Sequence, residues 1–267
     1  MSEKLLAVIG AGNMAEALLR GALSAGVLSP GDVLVSDPSP QRRELLGSLG
    51  IEATTDNLLC ARAARLLLAV KPQTAPAVLA EIAPAVAADL PVISIVAGLR
   101  TQVIAERLAG KGRIVRVMPN TPMLAGAGIS AVCAGVRATA ADVDWTLRLF
   151  AAAGKAITVQ ESMMDAVTAV SGSGPAYFFY LAEAMAEAGV AEGLDPQVAQ
   201  ELAVQTLLGA GKLLVHTGRT PQALRAQVTS PNGTTQAAIE ALDAAGARQA
   251  IVAAVRRAAQ RSRELGK

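Results

Sequence analysis

Over its first 160 residues the chain alternates short, wholly apolar runs with stretches patterned for helix. Residues 5–9 are apolar and end against a glycine, and residues 14–25, rich in alanine and leucine, suit a helix. The chain therefore opens as strand, tight turn and helix. Residues 33–36 read as a second strand, and residues 40–49 as a second helix that stops at Gly50, a residue suited to the left-handed position past a helix end. The alternation repeats with a strand at 65–70, a helix after Pro72, a strand at 92–96, a helix at 102–108 and a strand at 114–118. Such continuous apolar runs are expected of a parallel sheet covered by helices on both faces. Weaker strands at 129–133 and 156–159, flanking a helix at 142–153, are expected to complete the sheet.

From about Glu161 the strand pattern disappears and alanine-rich helical stretches take over, at 175–189, 196–217, 221–227, 234–245 and 247–265. Pro175, Pro196 and Pro221 fit first-turn positions and Asp195 fits an N-cap. The fold class is thus α/β, with a mostly parallel sheet in an N-terminal domain (1–160) and an all-helical C-terminal domain (161–267). Helices apolar on more than one face suit a dimer core, so a homo-oligomer is expected.

Composition narrows the functional classes. With 52% hydrophobic residues among 267, the chain has ample material for a core, and disorder is not expected. A net charge of +2, no basic block and 2% aromatics argue against a nucleic-acid partner. No apolar run approaches the roughly 20 residues that span a bilayer. The chain also passes from Met1 through Lys4 straight into a strand-like segment, so a soluble cytoplasmic protein without a signal peptide is expected. Cys60 and Cys133 lie far apart, without partners at metal-ligand spacing, and read as small core residues. His216 is the sole histidine. No metal site is expected.

Gly10, Gly12 and Ala15 form GxGxxA between the first strand and helix, the dinucleotide-binding fingerprint of a Rossmann-type domain. Gly10 permits the tight turn, Gly12 lets a pyrophosphate approach the backbone, and Ala15 lets the helix pack closely. Asn13 and Met14 open that helix, whose free amides and dipole attract phosphate. Asp37, at the end of the second strand, stands where an acidic side chain bonds the adenosine ribose and repels a 2′-phosphate. Ser36, Ser39, Arg42 and Arg43 point the other way, as phosphate ligands, and Asp37 with Ser39 also suits a simple turn cap at Pro38 and Pro40. Cofactor contacts are further expected at strand ends, from Val70, Lys71 and Pro72, from Ala97 and Gly98, and from Asn120 beside Thr121. Each of these loops equally suits ordinary turn chemistry. In the helical half, residues 171–175 (SGSGP) and 229–235 (TSPNGTT) each precede a helix and offer amides to a carboxylate, or serve only as caps.

GAGNMAEAL at 10–18, AVKPQ at 69–73, RVMPNTP at 116–122, SGSGPAYFF at 171–179 and TSPNGTT at 229–235 together resemble pyrroline-5-carboxylate reductase over nearly the whole chain. The resemblance implies an NADPH- or NADH-dependent oxidoreductase that reduces Δ1-pyrroline-5-carboxylate to L-proline, the last step of proline biosynthesis. It implies a Rossmann domain joined to a helical dimerisation domain, with dimers that assemble into decamers. It also places the substrate carboxylate at Ser230, Gly233 and Thr234, and Thr235 near the ring nitrogen, as the catalytic residue. Asn232 stands where glycine is frequent in the family, and residues 36–40 depart from an Asn-Arg pair of relatives, which leaves the cofactor preference open.

Competing readings are a different imine or 3-hydroxyacid dehydrogenase on the same plan, with Lys212 the only lysine in the helical body to serve the hydroxyacid chemistry, and a non-catalytic NAD(P) sensor. The sensor has no need of a TSPNGTT loop. Trp145, Phe150, Tyr177 and Phe178 are expected in core or dimer positions, and His216 in a structural role.

Overall fold

A computed structural model describes residues 4–266. Residues 1–3, on which part of the N-terminal reading rests, lie outside the described residues. In chain order the first unit comprises β1 (Leu6–Ile9), α1 (Asn13–Ser24), β2 (Val33–Ser36), α2 (Pro40–Gly47), β3 (Glu52–Thr54), α3 (Asn57–Cys60) and β4 (Leu66–Leu68). It continues with α4 (Ala75–Ile82), β5 (Pro91–Ser94), α5 (Thr101–Arg107), β6 (Arg113–Met118), β7 (Gly128–Ala134), α6 (Ala140–Ala151), β8 (Gly154–Thr158) and α7 (Met164–Val167). Next come α8 (Gly174–Ala191), α9 (Pro196–Thr217), α10 (Pro221–Gln227), α11 (Thr234–Ala244) and α12 (Ala247–Leu265). Contacts divide the chain into one unit reaching to Gly172 and taking in residues from Ala259 onward, and a second of Ser173–Ala258.

The strands form one eight-stranded sheet in the order β3-β2-β1-β4-β5-β6-β7-β8. β1 to β6 run parallel, β7 is antiparallel to β6, and β8 is parallel to β7. Alternation along β1 explains its uninterrupted apolar sequence: Leu6 and Val8 enter the core beneath α1 and α6, while Ala7 and Ile9 enter the opposite core beneath α4 and α5. The chain reverses direction in the strand order beside β1, and this switch point is where open α/β sheets bind ligands.

Every sheet element expected from the pattern is present within a few residues, but β3 and α3 were not legible. β3 is a three-residue edge strand with no buried position, and α3 is a single turn capped by the Asp56 carboxylate on the Leu58 and Leu59 amides. Neither is long enough to show a period. A second difference concerns SGSGP, expected as a loop. Residues Thr168–Gly172 instead form a π-helical turn. The hydroxyls of Thr168 and Ser171 donate back to the Met164 and Val167 carbonyls, which stabilises the widened turn.

Polar side chains fix distant pieces of the first unit. Glu161 accepts from the Thr101 amide at 2.8 Å, the Thr101 hydroxyl at 2.6 Å and the buried Arg116 guanidinium at 3.3 Å. Ser262 donates to Asp165 at 2.6 Å, tying the end of α12 to α7. Cys60 and Cys133 are fully buried, and burial pushes their thiols up to about 12 and about 11, leaving them protonated and unreactive.

Ser130 in β7 is 1% exposed, and its hydroxyl oxygen finds no hydrogen-bond partner among the described residues. Its strand neighbour two residues on, Val132, lies in the α1–α6 core. Ser130→Ala is therefore expected to raise stability by about 1 kcal/mol, because it removes a desolvated donor without opening a cavity. A denaturant midpoint unchanged or lowered would contradict this.

Candidate active site

The glycine loop is shaped by register. Ile9 pairs with Ser36 on one side and Leu68 on the other, which brings Gly10, Asp37 and Ala69 together at the carboxyl edge of the sheet. Gly10 has φ +99°, donates its amide to the Ser36 carbonyl at 2.8 Å, and has its Cα so close to β4 that an added Cβ would lie 2.6 Å from the Ala69 oxygen. Gly12 is the N-cap of α1, and a Cβ there would meet nothing within 4 Å. That open space lies at the helix N-terminus, where the Asn13, Met14 and Ala15 amides have no intrahelical partner. Ala15 is fully buried and seats the helix on the sheet. The site fits a pyrophosphate without alteration.

A polar network surrounds this loop. One Asp37 oxygen accepts the Ala11 amide at 2.7 Å, and the other accepts the Ser39 amide at 2.8 Å. Arg42 reaches back across α2, donating from Nε to the Ala11 carbonyl and from Nη2 to Glu16 at 2.8 Å. Arg20 donates to the other Glu16 oxygen at 2.8 Å. Burial raises the Glu16 pKa, but the hydrogen bonds of Arg20 and Arg42 outweigh it and hold the carboxyl below its ordinary value. Arg43 donates to the carbonyls of Asp37 and Pro38, and the Ser39 hydroxyl donates to Gln41 and caps α2 at the Arg42 amide.

The remaining expected cofactor residues also lie at strand ends, in differing states. Ser36 is 1% exposed and donates to Asn57 at 2.7 Å, so its hydroxyl braces β2 against α3. Val70 is half-buried, and Lys71 and Pro72 are exposed in a turn closed by the Thr74 amide on the Lys71 carbonyl. Ala97 is exposed. Gly98 has φ +76° and packs beside the chain's end, with its Cβ direction 3.3 Å from the Leu265 carbonyl. Asn120 donates from Nδ2 to the Ser171 carbonyl at 3.1 Å and accepts the Ile129 amide at 2.8 Å. It therefore joins the loop after β6 to β7 and to the π-turn. Sequence reasoning missed Glu16 here; its only local signal is the Arg20 one helical turn on.

The expected substrate residues belong to the second unit. Thr229 is bonded through its hydroxyl to the Arg225 carbonyl, ending α10. Gly233 donates its amide to the Ser230 carbonyl at 3.1 Å, and a Cβ on it would sit 2.4 Å from Ser230 Oγ, so the serine hydroxyl lies directly over the glycine. Asn232 takes φ +59°, which asparagine tolerates, and donates its amide to Gln236 at 2.8 Å. Gly233 then caps α11, leaving the Thr234 and Thr235 amides at the helix start without intrahelical partners. His216 and Lys212 are exposed on α9, outside this turn. Among the described residues no cluster of His, Cys, Asp or Glu is arranged to hold a metal, and no helix is long and apolar enough to cross a membrane.

A fingerprint loop at the switch point of a parallel sheet, with a helical unit carrying a second amide-rich helix start, defines a dinucleotide-binding oxidoreductase with a helical partner domain. The comparisons with known proteins agree. Residues 5–98 match the model "NADP oxidoreductase coenzyme F420-dependent", and residues 161–265 match "Pyrroline-5-carboxylate reductase dimerisation". The chain is 43% identical to the pyrroline-5-carboxylate reductase of Methanosarcina acetivorans, covering 100% of both. Its structure superposes on a pyrroline-5-carboxylate reductase from Coxiella burnetii with TM-score 0.93 and 33% identity, over 100% of both chains. A pyrroline carboxylate reductase from Plasmodium falciparum, solved with NADP bound, gives TM-score 0.88 and 28% identity, over 100% of this chain and 99% of that one. The chain belongs to the pyrroline-5-carboxylate reductase family.

Proposed function

We propose that the chain reduces Δ1-pyrroline-5-carboxylate to L-proline with NAD(P)H, using the cofactor and substrate residues described above. The observation that carries the reading is the turn before α11, where Gly233 caps the helix and the Ser230 hydroxyl and the free Thr234 and Thr235 amides are the donors that a carboxylate needs. A nicotinamide cofactor held by the Gly10–Ala15 loop would supply the hydride that the imine carbon needs. The chain's own residues hold and orient: the Gly12 loop and α1 amides bind the pyrophosphate, and the α11 amides fix the ring by its carboxylate. Thr235 holds the ring nitrogen's proton. An iminium arrives already protonated, so orientation supplies most of the acceleration and no strong general acid is needed.

Thr235→Ala is expected to lower kcat about a hundredfold. NADH affinity should stay unchanged, and Thr235→Ser should restore turnover. Wild-type turnover in the alanine variant would remove Thr235 from the mechanism. Cofactor binding without oxidation by the imine would favour a sensor over a reductase.

The reading includes a homodimer built on the helical unit, assembling further into a decamer, and a place in the cytoplasm. Phe178, Phe179 and Tyr180 on α8 and Leu202 and Val204 on α9 are more than half exposed, and a groove of about 510 Å³ between these helices is walled by Phe179, Val190 and Val204. So much exposed apolar surface is expected to be covered by a second copy. A monomeric mass by light scattering would refute it.

A further inference from the structure

We infer that Asp37 and the Glu16–Arg42 pair make this site select NADH over NADPH. The inference rests on the reductase reading and adds to it which of the two cofactors the chain takes. The two differ only at the adenosine 2′ position, which lies at the end of the second strand in this fold, beside the residue that Asp37 occupies.

Asp37 is held in place from both sides, by the Ala11 amide at 2.7 Å and the Ser39 amide at 2.8 Å. Each carboxylate oxygen keeps a second lone pair for a ribose hydroxyl. A 2′-phosphate beside the same carboxylate meets like-charge repulsion, with no freedom for the side chain to turn away. The cations that would offset it are engaged. Arg42 has Nε on the Ala11 carbonyl and Nη2 on Glu16, and its side chain is only 25% exposed. Glu16 is itself fixed by Arg20. Arg43 faces two carbonyls, and the Ser39 hydroxyl is committed to Gln41 and the α2 cap. Ser36 is buried against Asn57. The groups that a sequence reading would offer to a phosphate are therefore withdrawn from it, and the one that binds a diol is presented.

The test is direct titration of the full-length protein with NADH and with NADPH by calorimetry, without imine. Wild type should bind NADH about tenfold or more tightly than NADPH, the size of one near-surface charge interaction. Asp37→Asn should tighten NADPH binding about tenfold. Glu16→Gln, which releases Arg42, should tighten NADPH several-fold and leave NADH unchanged. A merely structural role for Glu16 would move both affinities together, and that result would overturn its assignment. Wild type binding NADPH as well as NADH, or variants that leave the gap intact, would overturn the inference. Loss of imine reduction with this binding pattern intact would count against the reductase reading alone, whereas binding of neither cofactor would sink both.

Discussion

Gly10→Ala is expected to weaken NADH binding about a hundredfold or more, the scale on which misplacing a binding group by an ångström acts. The residue takes φ +99°, where an L side chain is strained, and its new methyl would lie 2.6 Å from the Ala69 oxygen and 2.8 Å from the Ala69 carbon. Both atoms are backbone of the chain leaving β4, so no side chain can swing aside. The turn itself must shift, and with it the start of α1 and the amides proposed to meet the pyrophosphate. Gly12→Ala separates this from mere misfolding. Its φ of −67° is ordinary and its methyl meets no protein atom, so the variant should keep wild-type stability yet lose affinity by filling the phosphate space. Calorimetric titration beside a thermal melt reads both effects. Undiminished NADH affinity in Gly10→Ala would mean that this loop does not hold the cofactor.

Asp142→Ala is expected to cost about 3 kcal/mol of stability, in the range for breaking a well-shielded ion pair. Asp142 is 6% exposed and receives Arg113 at 2.8 and 3.0 Å, while closing a capping box with the Thr139 amide at 2.9 Å and hydroxyl at 2.7 Å. Removing it leaves Arg113 without its carboxylate partner at the start of β6 and breaks the Asp142 half of the α6 capping box, while the Thr139 hydroxyl keeps its bond to the backbone amide of residue 142. Burial raises the Asp142 pKa, but the hydrogen bonds from Arg113 and Thr139 outweigh it, so the carboxyl titrates below its ordinary 3.8 when folded. The folded state therefore binds this proton less readily than the unfolded chain. The contribution is complete above about pH 5 and is lost as pH falls below 4 through the folded pKa. Chemical denaturation should show the wild-type advantage over the alanine variant shrinking in that window; an advantage constant down to pH 2 would contradict the pairing.

The local turns and caps around the candidate site were legible wherever they depend on short spacing. GxGxxA announces its turn because Gly10 must take φ +99° against the β4 backbone, whereas Gly12 faces open space. The caps of α2, α9 and α10 at Ser39, Asp195 and Thr220 are each a local side-chain bond, readable in a few letters. SGSGP misled because its small polar residues suit loops and back-bonded helical turns alike, and only the Met164 and Val167 carbonyls above it decide between them.

What the sequence by itself determined is the succession of strands and helices and the dinucleotide fingerprint, since periodicity, capping and glycine placement act within a few residues. What the tertiary structure alone decided is the partner of each polar group. Arg42, a candidate phosphate ligand by its position, is turned onto Glu16 across 26 residues, Asp37 onto Ala11 across another 26, and Thr101 onto Glu161 across 60. A charge in a sequence has a sign but no direction. Direction comes from register, which sets Ser36 and Leu68 beside Ile9 and so determines which side chains meet around Gly10.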